Sequence, residues 1–169
     1  MHAEARLEAA GLTLPEPMWL PDGAEAKWRQ VRVVGDRAII AGHGPRADDG
    51  TPGSPPGKVG AELSVEDGYV AARMTGLGVL GDFKRELGDL DRIVCWVRVF
   101  GLVNSAPGFV LQAQVIDGFT DLMVLAFGEE SAICPRAVAG AAELPFGSPV
   151  IIEGEVQIHP ARRSVSPAG

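Results

Sequence analysis

The sequence predicts an α+β fold, a mixed sheet with two main helices packed on one face, and three observations predict it. Short apolar runs that suit strands stand at residues 31–41, 93–100 and 150–158. Two other stretches, beginning near residue 65 and ending near residue 127, repeat their apolar residues at helical spacing. The order hairpin, helix, strand, helix, strand, strand then matches a two-layer arrangement with helices on one side of the sheet.

The first pair of strands is expected at Val31-Arg32-Val33-Val34 and Ala38-Ile39-Ile40-Ala41, because Gly35-Asp36 between two apolar runs is a hairpin signal. Residues 47–60 are dominated by Asp, Gly, Pro and Ser and read as a loop, long enough to point to function or an interface. Ser64 is placed as an N-cap, with Asp67 three residues on and Val70, Met74, Leu77, Leu80 and Leu87 following at helical spacing. A helix over 65–87 is therefore expected. Gly76, Gly78 and Gly81 each lower its intrinsic stability by about 1 kcal/mol relative to alanine, and they would let it pack closely on a sheet.

Residues 93–100 are nearly continuous apolar sequence, as in a central strand covered on both faces. Phe119, Leu122, Met123, Ala126 and Phe127 repeat as i, i+3, i+4, i+7, i+8 and give the second helix. Both stripes read as core, and no cofactor is expected. A strand follows from Arg136, then the Leu144-Pro145 turn. In the last strand Val150, Ile152, Val156 and Ile158 alternate with Ile151, Glu153, Glu155 and Gln157, so its apolar face should lie against the helices.

A chain of 169 residues with 22 glycines and 13 prolines, many of them between apolar runs, suits one compact domain with tight connections. The expected division is a domain with an N-terminal extension over 1–159 and a flexible tail over 160–169. No apolar run reaches the roughly 20 residues needed to cross a bilayer, and the N-terminus carries acid without an apolar core, so a cytoplasmic protein is expected. A net charge of −7 with dispersed Lys and Arg argues against nucleic acid as a partner. Cys95, in an apolar strand, reads as a buried thiol; Cys134, two residues before Arg136, could have its pKa lowered by that cation. His2, His43 and His159 show no ligand spacing, and no metal site is expected.

The candidate chemistry centres on Arg136 in Cys134-Pro135-Arg136-Ala137-Val138-Ala139-Gly140, just ahead of an acidic-edged strand. A guanidinium there can hold a small carboxylate by a bidentate pair of hydrogen bonds, or make an ordinary ion pair. Arg136, Leu144-Pro145 and the last strand together resemble the C-terminal signature of the Rid family, also called YjgF or L-PSP endoribonuclease-like. Pro56-Gly57-Lys58-Val59-Gly60, Leu63-Ser64-Val65-Glu66-Asp67-Gly68, Leu87-Gly88-Asp89-Leu90-Asp91-Arg92-Ile93-Val94 and Val103-Asn104-Ser105-Ala106-Pro107-Gly108-Phe109 are similar to its longer YjgF-like subgroup. The likeness runs from about residue 11 to about residue 158.

The resemblance implies a chorismate-mutase-like fold, a homotrimer with ligand clefts between subunits, and Arg136 as the anchor of a small imino or keto acid. Members that hydrolyse enamines or imines such as 2-aminoacrylate add water at the C=N carbon and release ammonia and a 2-oxo acid. That chemistry needs an anchor, a positioned water and a proton donor. This chain departs from the pattern in several places. Val138 stands where deaminating members commonly carry cysteine, and Ile151 where the water-placing carboxylate falls, with Glu153 about 6.6 Å further along the strand. Trp28 aligns with an aromatic hydroxyl, Ala41-Gly42-His43 with a Ser-Gly-Gln, and Asp117 with an asparagine near the start of the second helix.

Each residue also has a plainer reading: Trp28 as a packed aromatic, His43 as a satisfied loop residue, Asp117 as a helix cap, Glu153 as an interface charge. Two functions from different classes are expected. One is an imine deaminase-like hydrolase with His43 or Glu153 moving the proton and Arg136, Trp28, Asp117, Val138 and Ile151 around the substrate. The other is a carboxylate-binding or regulatory protein that lost the catalytic groups.

Overall fold

The computed structural model describes residues 2–160. Five strands, β1 (Val31–Val34), β2 (Arg37–His43), β3 (Ile93–Asn104), β4 (Arg136–Ala141) and β5 (Val150–Ile158), form one sheet in the order β1-β2-β5-β3-β4. Only β3 and β4 run parallel; the other neighbours are antiparallel. The helices are α1 (Ala3–Ala9), α2 (Val65–Leu87), α3 (Gln112–Phe127) and the single turn α4 (Glu129–Ala132). The long helices α2 and α3 cover one face of the sheet and bury Phe83, Phe119, Ile116, Leu122 and Met123 against it. This is the α+β arrangement expected from the sequence, a mixed sheet with two main helices on one face.

Each element follows from local chemistry. Gly35 takes φ 62° at the first central position of the β1–β2 turn, where a two-residue hairpin tolerates glycine best. At the start of α2 the Ser64 hydroxyl accepts from the Asp67 amide at 3.1 Å, while the Ser64 amide donates to the Asp67 carboxylate at 2.9 Å. These bonds satisfy two of the donors that a helix start leaves open. The Ser64 hydroxyl, which donates to the Asp67 carboxylate at 2.6 Å, and then the Ser64 amide hold the Asp67 carboxyl below its ordinary pKa. Ser64→Ala should cost about 1 kcal/mol, a fall of about 3 °C in Tm by thermal denaturation. An unchanged Tm would show that the cap contributes nothing.

The helices meet through glycine. A Cβ at Gly76 would lie 2.7 Å from Leu122 and 3.1 Å from Met123, and one at Gly118 would overlap the Tyr69 carbonyl. Gly78 faces Arg46, and Gly81 faces Arg85 and the Pro15 carbonyl, so the three α2 glycines do not serve close packing on the sheet as expected. Gly76 and Gly118 instead bring α2 and α3 together. Gly101 does the same for the sheet, since its missing side chain leaves room for Ile116.

The alternation in β5 is as expected: Val150, Ile152, Val156 and Ile158 are buried, whereas Ile151, Glu153 and Glu155 are half-buried on the face without helices. β3 extends past residue 100 to Asn104, and α3 begins at Gln112, earlier than its apolar stripe suggests. The loop over 47–60 is a loop, fastened by isolated bridges at Arg46–Pro52 and Val59–Ser105. Helix α1, which the sequence reading did not contain, docks on α3 through buried Ala3 and Leu7. The expected tail lies outside the described residues except at Pro160. Among the described residues no helix is long and apolar enough to cross a membrane.

Candidate functional site

Arg136 opens β4, and its register with Val99 places its side chain on the helix-covered side, because Val99, Gly101 and Val103 are buried there. Its Nη1 donates to the Thr120 hydroxyl at 2.8 Å, and its Nη2 to the Asp117 carboxylate at 2.8 Å. Nη2 also reaches the Ala113 carbonyl at 3.5 Å, the long limit of a hydrogen bond. Asp117 and Thr120, three residues apart, share one face of α3. Helix and strand together fix a mostly buried guanidinium beside a half-exposed carboxylate.

A cavity of about 250 Å³ opens at this pair. Val99, Phe119, Met123 and Ala132 make an apolar wall, and Ile133 and Cys134 close one side. Burial raises the Cys134 thiol pKa, and the nearby Arg136 only partly offsets it. The expected lowering by Arg136 is thus reversed: desolvation of a thiolate outweighs one cation whose charge Asp117 already balances. Cys95 is half-buried rather than buried, with its thiol 3.9 Å from the Gln157 side chain.

His43 stands elsewhere. The pairing of β2 with β5 slips between Ile40 and His43, so three residues of β2 span two of β5. The bulge turns His43 toward the helix layer, where it is 3 % exposed. Its Nε2 lies 2.9 Å from Asp82 on α2 and its Nδ1 2.7 Å from the Ala41 carbonyl. The ring is thus held at both nitrogens, between the end of β2 and α2. Asp82 also accepts from Arg46 at 2.7 and 3.2 Å and from Arg85 at 2.6 Å. Burial raises the Asp82 pKa, but the hydrogen bonds from His43, Arg46 and Arg85 outweigh it and hold the carboxyl far below the usual range.

Two strands separate β2 from β4, so His43 and Arg136 are about 14 Å apart across the sheet at roughly 4.8 Å per strand. Ile151 and Glu153 pair with Leu102 and Phe100 on the face opposite Arg136. Glu153 holds Arg98 at 3.0 Å, and Arg98 borders a shallow hollow that also touches Arg136. Val138 shares the Arg136 side of β4, half-buried against the core, but does not line the cavity. Asp117 is in the second turn of α3 rather than at its start, so its plainer reading as a helix cap fails; its carboxylate is spent on Arg136.

Trp28 is 51 % exposed and lines a different cavity, about 240 Å³, with Met18, Trp19, Pro45 and Phe146. The two cavities share no residue. Phe146 is almost fully exposed with φ 59°, an uncommon conformation for a residue with a side chain. One chain therefore brings Arg136 and Asp117 together and leaves Trp28, His43 and Glu153 apart from them. Sequence reasoning missed Thr120; its i, i+3 spacing from Asp117 was the available signal. Among the described residues no group of three or more His, Cys, Asp or Glu side chains converges as metal ligands would.

The profile of the family described as "YjgF/chorismate mutase-like, putative endoribonuclease" matches residues 4–152. The chain belongs to this family. Protein TCP17 of Trypanosoma cruzi is 38 % identical over 142 residues, 83 % of this chain and 88 % of that protein. The solved structure of Atu1372 from Agrobacterium tumefaciens, a protein of unknown function, is 31 % identical with a TM-score of 0.81, over 93 % of this chain and 94 % of that one. A Shewanella oneidensis protein that carries the same endoribonuclease description is 27 % identical with a TM-score of 0.84, over 94 % and 100 %. This YjgF-family chain thus shares its fold over nearly its whole length with one protein described as an endoribonuclease and one of unknown function.

Proposed function

We propose that this YjgF-family protein binds a small carboxylate at Arg136, and that binding rather than imine hydrolysis is its main role. The observation that carries the reading is the Arg136 cavity: a guanidinium held by Thr120 and Asp117 at 2.8 Å each, beside an apolar wall. A fixed fork loses little entropy when it takes a planar anion. The titrating groups beside it are Asp117, already paired, and Cys134, whose thiol burial keeps protonated. Neither His43 nor Glu153 lines this cavity, which weakens the hydrolytic reading.

Imine hydrolysis is the second reading, and Glu153 favours it. It stands half-exposed on the sheet face without helices, beside Phe100, Leu102 and Ile151. That partly apolar face supports a homotrimer in which clefts between copies complete the site, with Glu153 or Trp28 of one copy meeting Arg136 of the next. RNA cleavage has less support, since a net charge of −7 repels phosphate. A cytoplasmic location remains part of the proposal.

The test is a thermal-shift panel of small carboxylates with and without an α-amino group. Ligands that raise Tm should lose that effect in Arg136→Ala, because ligand stabilisation scales with affinity. Arg136→Lys should retain only part of it, since an ammonium lacks the fork. A panel without any shift would sink the binding reading. Ammonia release from freshly generated 2-aminoacrylate above the buffer rate, absent in Arg136→Ala, would put hydrolysis first.

A further inference from the structure

We propose that the second cavity, between the N-terminal segment 12–30 and the loop over 47–60, binds an uncharged aromatic molecule of one or two rings. Segment and loop are joined as one wall: the Glu16 amide donates to the Asp48 carbonyl and the Trp19 amide to the Gly50 carbonyl, each at 2.9 Å. Gly50 takes φ 86°, and a Cβ there would overlap the Pro17 carbonyl oxygen, so glycine lets the two segments lie this close. Trp19, Trp28, Phe146, Met18, Pro45 and Pro52 then enclose about 240 Å³. An apolar cavity of roughly 150 Å³ already holds benzene, so there is room for a substituted or fused ring. These walls all come from one chain and none lines the Arg136 cavity, so the site needs no second copy and stands under either reading of Arg136.

Among the described residues the stacked rings are Phe83, Trp96 and Phe119 in the core, whereas Trp19, Trp28 and Phe146 make no ring contact with one another. Trp19 and Trp28 are half exposed, and Phe146 holds its ring over solvent in a backbone conformation that costs energy for any residue with a side chain. A flat ring placed among them meets π faces and the Met18 thioether, contacts that a saturated ring matches less well. Charge separates the other ligand classes. Arg46 is the one charged residue in the lining, its guanidinium buried and turned to Asp82 at 2.7 and 3.2 Å. Arg85 shares that carboxylate at 2.6 Å, so two guanidiniums stand against one anion behind the cavity floor. The excess repels a cation, which finds no carboxylate in the lining, and favours the electron-rich face of an aromatic ring. An anion would have to compete with Asp82 for Arg46 between apolar walls. Entry is through residues 20–29, whose one hydrogen bond among the described residues is the local turn from the Ala24 amide to the Pro21 carbonyl, so that this stretch opens at little cost.

The indole N–H signals of an isotope-labelled full chain test this, because the three tryptophans report separately and Trp96, buried in the core, is an internal reference. Benzyl alcohol, cyclohexylmethanol, benzyltrimethylammonium and benzoate compare six-membered rings that differ in aromaticity and charge. Benzyl alcohol should shift the Trp19 and Trp28 signals saturably and leave Trp96 unmoved. It should bind about five-fold tighter than cyclohexylmethanol and about ten-fold tighter than either ion. Trp19→Ala, which removes and so assigns one signal, should abolish the shift at Trp28. Phe146→Ala changes a side chain that the fold leaves 98 % exposed, so its thermal melt should match wild type while benzyl alcohol binds about five-fold more weakly. The inference is overturned if no probe moves the Trp19 signal, if cyclohexylmethanol or either ion binds as tightly as benzyl alcohol, or if Phe146→Ala leaves the affinity as it was. Dissociation of a larger assembly by Phe146→Ala in sedimentation, with no probe bound by wild type, gives these rings to a contact between copies and overturns it likewise.

Discussion

Asp82→Ala is expected to lower the unfolding free energy by about 3–5 kcal/mol, because it strips the anion from the buried Arg46 guanidinium and from its neighbour Arg85. Asp82 is 7 % exposed and accepts from His43, Arg46 and Arg85, and His43 and Arg46 are themselves buried. Removing one partner of a buried pair leaves uncompensated charge, which costs far more than the intact pair gains. The cluster also fastens three pieces of chain: the end of β2, the C-terminal part of α2, and the loop at Arg46, which reaches toward the Glu16 carbonyl. Urea unfolding of both proteins at neutral pH checks the loss. A difference below about 1 kcal/mol would show that water enters the cluster on relaxation and that the buried geometry contributes little.

The pH dependence of that difference has a definite sign. The folded-state pKa of Asp82 is depressed, so the unfolded chain binds the proton more readily and stability rises with pH in the region between the two values. The contribution of Asp82 is therefore complete above its ordinary pKa of about 3.9 and declines as the pH falls below it. Wild type and Asp82→Ala should converge in stability as acid is added. Asp82→Asn, which keeps the shape and part of the hydrogen bonding, should fall between them at neutral pH.

Much of the fold was legible because burial leaves a period in the sequence. The alternation of Val150, Ile152, Val156 and Ile158 fixed which face of β5 is covered, and Ser64 with Asp67 marked the start of α2. What escaped lacked a local signal. Helix α1 has only seven residues with just Ala3 and Leu7 buried, too short to hold by itself, so tertiary contact with α3 secures it as a helix. The start of α3 has no side-chain cap, and the bond pattern there gives no Ser, Thr, Asp or Asn to find. Gly101 reads as the end of a strand, yet β3 continues because Ile116 needs the space.

The candidate site was legible residue by residue but not as an assembly. Arg136 and Asp117 could be picked out singly; that they touch depends on how α3 lies over β4. The bulge between Ile40 and His43 changes which face His43 occupies, and a bulge is a property of strand pairing rather than of β2 alone. Likewise Glu153 and Arg136 fall on opposite faces through the registers of β5 with β3 and of β3 with β4. Side-chain period within one strand cannot fix that relation.

Gly118→Ala should destabilise the protein by about 3 kcal/mol, at the upper end for overpacking, and should weaken ligand binding at Arg136 as well. The added Cβ would overlap the Tyr69 carbonyl oxygen and lie 2.9 Å from its carbon, so the obstacle is backbone of α2 rather than a side chain that can swing away. Helical propensity acts the other way, since alanine favours the helix by about 1 kcal/mol, and the steric term has to exceed it. The remaining freedom is to move α3 away from α2. Asp117 precedes Gly118 and Thr120 follows two residues later, so the same displacement carries both partners of Arg136 with it. Thermal unfolding and ligand titration of one variant therefore read two links of a single chain of cause. A variant as stable as wild type would mean that the helices adjust at no cost; a destabilised variant with undiminished affinity would mean that the position of α3 does not set the Arg136 site.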